Sequence, residues 1–75
     1  MKSILIIEDE PDIQELLRAY LEDAGYQTTV AGDGVAALER FGAQPFDLVL
    51  LDLMLPGIDG FGVCACIRRQ SQVPI

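Results

Sequence analysis

The sequence has 75 residues, with 12 acidic and 5 basic side chains, no histidine and a net charge of −7. Hydrophobic residues at 51% and a mean hydropathy of +0.32 make it too apolar for a disordered acidic tail, and its length is too short for two domains. Its acidity argues against nucleic-acid contact, which needs clustered Lys and Arg, and the lack of histidine excludes His-based triads and His-ligated zinc.

Ser3–Ile7 is a short, continuous apolar run, the length of a strand buried on both faces. It is too short for a signal-peptide core or a membrane span. Glu8, Asp9 and Glu10 interrupt it, and Pro11 then suits a first helical turn because it has no N–H to leave unpaired. Ile13, Leu16, Leu17, Tyr20, Leu21 and Ala24 follow helical spacing and predict one apolar stripe facing the core. Gly25 falls where a left-handed C-terminal cap is needed.

Tyr26–Ala31 is rich in β-formers and reads as a second strand. Asp33 is placed to cap a second helix, with Ala37, Leu38 and Phe41 inward and Gly42 ending it. Phe46–Leu53 contains the run Leu48–Leu51 and then Asp52, a third buried strand that ends in a carboxylate. Pro56, Gly57 and Gly60 make Leu53–Gly60 a loop. A third helix spans roughly Phe61–Gln70, with Val63, Cys64 and Ile67 inward, Cys66 solvated, and Arg68 and Arg69 at the end the helix dipole favours for cations. Val73, Pro74 and Ile75 look like the start of a fourth strand. Cys64 and Cys66 stand two apart within one helix, on different faces, which predicts free thiols in a reducing, cytoplasmic setting.

Strands alternating with helices predict an α/β fold: a flavodoxin-like parallel sheet with helices on both faces, and the first strand beside the third. That order brings Glu8, Asp9 and Asp52 to one sheet edge, at the switch point where such folds bind ligands. On spacing alone two readings stand. The carboxylates either solvate strand ends and cap helices, or they share a hard divalent cation such as Mg²⁺, beside which a carboxylate can attack phosphorus. For Glu10, Asp12 and Asp33 capping and solvation suffice. Leu48–Asp52 also fits the second metal motif of P-loop nucleotidases, but no Gly-rich phosphate loop is present and the only lysine is Lys2.

The run Ile4–Glu10, taken with Leu48–Gly60, resembles the receiver domain of two-component response regulators over the whole chain. The resemblance implies that Asp52 is the phosphoacceptor. It further implies that Asp9 binds Mg²⁺ directly, that Glu8 acts through a metal-bound water, and that Met54 offers its backbone carbonyl. Pro56 and Gly57 shape the loop beside the acceptor. The donor is a sensor histidine kinase or a small acyl phosphate, and the domain is a phosphoacceptor, not an enzyme. The segment Leu53–Gly57 is similar to regulators that carry a winged-helix DNA-binding domain, so the parent protein is expected to bind DNA although this segment touches neither nucleic acid nor membrane.

Residues 1–75 then form the N-terminal part of one receiver domain, truncated after the third helix with a fourth strand just begun. The family's phosphate-contacting Ser/Thr and Lys and its switch aromatic lie further on. The alternative is a phosphorylation-incompetent fragment that acts only by association. An apolar third-strand edge, too little covered by a segment containing Pro74, predicts self-association, as a dimer or with elements exchanged between copies.

Overall fold

The computed structural model describes residues 2–51, 60–71 and 73–75. Its elements in chain order are β1 (Ser3–Ile7), α1 (Pro11–Asp23), β2 (Gln27–Ala31), α2 (Gly34–Ala43), β3 (Leu48–Leu51) and α3 (Gly60–Gln70). The strands form a parallel sheet in the order β2-β1-β3. β1 is central, and its residues Ile4, Leu5, Ile6 and Ile7 are all buried, as a strand covered on both faces requires. This is the flavodoxin-like arrangement expected from the alternation of elements.

Side chains alternate across the sheet. Leu5, Ile7 and Val49 join Ala37 of α2 and Val63 and Ile67 of α3 in one core cluster. Phe41 and Phe46 stack beside it, with ring centroids 6.3 Å apart. On the opposite face, Ile4 and Leu48 line one open groove with Leu21 of α1, and Ile6 and Leu50 line another with Leu17.

Local chemistry fixes the helix ends. Pro11 opens α1, and Gly25 closes it at φ +97°. The Gly25 N–H donates to the Glu22 carbonyl at 3.0 Å and the Tyr26 N–H to the Leu21 carbonyl at 3.0 Å, the bond pair of a Schellman cap. At the start of α2, Asp33 Oδ1 accepts from the Ala36 N–H at 2.8 Å.

Several expectations are corrected. α2 runs through Gly42 and ends at Ala43, with extended Gln44 as its cap. Cys66 is half-buried, like Cys64. The stripe of α1 is only partly covered: Ile13 is 43% exposed, Leu16 68% and Tyr20 75%. Leu17 and Leu21 are half-buried and line open grooves with sheet residues, while Ile13, Leu16 and Tyr20 of the same stripe are exposed. Finally, Val73, Pro74 and Ile75 form no strand, although Pro74 makes one bond to the β3 edge. Proline cannot donate, but its carbonyl accepts from the Val49 N–H at 2.9 Å on the edge of β3 away from β1. Val73 is buried in the core beside it, and the Arg68 guanidinium donates to the Val73 carbonyl.

Candidate functional site

Ile7 is the register partner of Ala31 on one side and of Leu51 on the other. The residues that follow Ile7 and Leu51 in the sequence are Glu8 and Asp52. Asp52 itself lies outside the described residues, as do Met54, Pro56 and Gly57.

Glu8 is still tied to the sheet, since its N–H donates to the Ala31 carbonyl at 3.1 Å. It is the one buried charged residue among those described, at 8% exposure. Burying a carboxylate is costly unless hydrogen bonds replace its water. One replacement is the Glu10 N–H, which donates to Glu8 Oε1 at 3.1 Å. Asp9 is exposed at the same edge. Glu10 provides the extended N-cap of α1, Asp12 sits in that helix's first turn, and the Asp33 carboxylate is engaged in capping α2. Those three fill the bland roles expected of them.

Beside Glu8, an open groove of about 330 Å³ is lined by Ile6, Ile7, Leu17, Leu50 and Leu51. Glu8 is its only charged wall among the described residues. Glu8 and Asp9 supply hard oxygen donors, the type that suits Mg²⁺. No group of three metal-ligating side chains occurs among the described residues, and Asp52, the third carboxylate expected from the sequence, lies outside them. No described helix is long and apolar enough to cross a membrane.

One residue of this edge escaped the sequence pattern. Gln14, on the second turn of α1, donates from Nε2 to the Glu8 carbonyl at 2.5 Å. A glutamine at that position carries no spacing signal, and only the fold reveals what it reaches.

The family model of the response regulator receiver domain matches residues 4–75. The transcriptional activator protein PfeR of Pseudomonas aeruginosa is 44% identical over 72 residues, which are 96% of this chain and 24% of that protein. The sensory transduction protein RegX3 of Mycolicibacterium smegmatis is 47% identical over 75 residues, all of this chain and 33% of that protein. The chain therefore spans a third or less of the length of these relatives. Among solved structures, the response regulator TrrA of Thermotoga maritima in complex with Mg²⁺-BeF superposes with a TM-score of 0.92 at 43% identity, over 96% of this chain and 63% of that one. TrrA in complex with the histidine kinase ThkA superposes at 0.91 and 42% identity, over 99% and 64%.

Proposed function

The chain belongs to the response regulator receiver domain family, and from that premise we propose that Asp52 accepts a phosphoryl group from a sensor histidine kinase or a small acyl phosphate. The observation that supports this reading is the register of Ile7 with Leu51, which ends β1 and β3 at one level. Glu8 and Asp9 follow the first of these strands and Asp52 follows the second. The neighbour solved with Mg²⁺-BeF and the neighbour solved with a kinase support the choice of ion and partner.

In this reading Asp9 is a direct Mg²⁺ ligand, Glu8 holds a water of the ion, and Met54 gives its backbone carbonyl. Mg²⁺, when bound, screens the negative charge that opposes approach of an anionic donor. A carboxylate oxygen of Asp52 forms the bond to phosphorus as the bond from phosphorus to the donor histidine nitrogen breaks. The departing imidazole keeps the electron pair and takes up a proton. The product is an aspartyl phosphate, and the chain serves as acceptor and relay instead of turning over a substrate. Residues 1–75 form the N-terminal part of one receiver domain in a cytoplasmic regulator, with output, including DNA binding by a winged helix, carried by the rest of the parent protein.

Incubation of the parent protein with acetyl phosphate and Mg²⁺, followed by intact mass measurement, tests the assignment. A gain of one phosphoryl group is expected in the wild type and none in Asp52→Asn, which alters charge but hardly shape. Undiminished labelling of Asp52→Asn at another residue overturns the choice of carboxylate.

The exposed Ile13, Leu16 and Tyr20 favour a second reading for the 75-residue chain by itself, as a fragment that self-associates over this face. Sedimentation that stays monomeric at all concentrations contradicts it.

A further inference from the structure

We propose that Gln14 is a positioning residue for the acidic pair, acting through the backbone of Glu8. The inference rests on the metal-site reading above and adds a residue to it.

The β1–β2 ladder carries its last backbone bond at Glu8. In a parallel pair, a residue whose N–H points to its neighbour also points its carbonyl there. The Glu8 N–H donates to the Ala31 carbonyl, so the Glu8 carbonyl faces the β2 side as well. Continued pairing would satisfy it from the N–H of Asp33. But β2 ends at Ala31, and Asp33 has turned away to cap α2. Gln14 fills the vacated place: its Nε2 donates to that carbonyl at 2.5 Å, and the amide passes over Gly32, where an added Cβ would lie 3.8 Å from Nε2.

Gln14 also holds the next link. Its own backbone N–H donates to the Glu10 carbonyl at 2.9 Å. Glu10 in turn donates its N–H to the Glu8 carboxylate at 3.1 Å. Residues 8 and 10 are thus both tied to Gln14, with Asp9 held between them. The Glu8 carbonyl belongs to the peptide plane that carries the Asp9 N–H, so fixing it fixes the backbone from which Asp9 projects. A ligand held on a rigid backbone loses less conformational entropy when it takes a cation.

The test separates this role from charge and from helix stability. Gln14→Met and Gln14→Glu remove the N–H donor at similar length. Gln14→Arg keeps a donor, because Nε stands at the same bond count from the backbone as the glutamine Nε2. Simple Coulomb attraction predicts that the glutamate variant binds Mg²⁺ best and the arginine variant worst. Helix stability predicts the same order, since residue 14 lies near the positive end of α1. Positioning predicts the reverse.

The experiment is Mg²⁺ titration of the parent protein followed by NMR, with the metal-free Asp9 amide nitrogen shift as a second readout. Expected is affinity about fivefold weaker in Gln14→Met and Gln14→Glu, with near wild-type affinity in Gln14→Arg, the size set by one hydrogen bond. The Asp9 shift should move in the first two variants and stay in the third. Should Gln14→Met not fold, the contrast between Glu and Arg still decides. Wild-type affinity in all variants, or affinity that tracks charge, overturns the role of Gln14 and leaves the metal site standing. Identical Mg²⁺ curves for wild type and Asp9→Ala overturn the metal site itself, and the role of Gln14 with it.

Discussion

The two faces of the sheet are finished to different degrees. Under α2 and α3, Leu5, Ala37, Val49, Val63 and Ile67 are all at 0% exposure. Under α1 the sheet residues Ile4 and Ile6 are equally buried, yet α1 itself has no buried residue. One face is a closed core in which helix and sheet bury each other. On the other, the helix shelters the sheet without being sheltered in return. A helix needs a partner on each flank of a wide apolar stripe to bury it, and here the sheet supplies only one. The candidate site lies at the end of β1, where Glu8 lines an open groove together with Leu17 of α1 and Ile6 and Leu50 of the sheet.

That contrast can be tested by substitution in the 75-residue chain, read by urea unfolding. Truncating Ile67, at 0% exposure between α3 and the sheet, should cost about 2–5 kcal/mol, because it leaves a cavity in close-packed surroundings. Only a small loss there would mean that the α2–α3 face is as loosely filled as the other. Asp33→Ala should cost about 1 kcal/mol, since the Ala36 N–H loses its acceptor, and Asp33→Asn should recover most of it. Tyr20→Ser should fall within about 0.5 kcal/mol of wild type, as substitutions at exposed positions do. The same change in the parent protein measures how far the remaining chain covers α1. A loss of core-like size in the isolated chain would contradict the exposure of this face.

Much of the fold was legible in the residues. Ser3–Ile7 matched its strand bounds because a four-residue apolar run cut off by three acids leaves little choice of register. Pro11, Gly25 and Asp33 marked helix ends because each answers a specific backbone need. Periodicity groups Tyr20 with the inward stripe because it reports which residues share a side of a helix, not how much of that side is covered. Val73, Pro74 and Ile75 read as the start of a fourth strand, but with no N–H on Pro74 the segment adds only the bond that the proline carbonyl accepts from Val49. Glu8 and Asp9 could be brought to an edge by topology alone. The bond from Gln14 could not, because it depends on where β2 stops relative to the second turn of α1.

The proposed function puts the chemistry at the edge of the sheet that follows Ile7 and Leu51. Mn²⁺, a paramagnetic substitute for Mg²⁺, reads this directly through the broadening of backbone amide signals in the parent protein. The amides of Glu8, Asp9 and Glu10 should disappear first, together with those that follow Leu51. Those of Ser3, Gln27 and Leu48, at the far ends of the same strands, should persist until much higher Mn²⁺. Asp9→Ala should abolish the selectivity. Broadening centred on the opposite edge, near Lys2 and Asp47, or spread evenly over the acidic surface, would contradict the account.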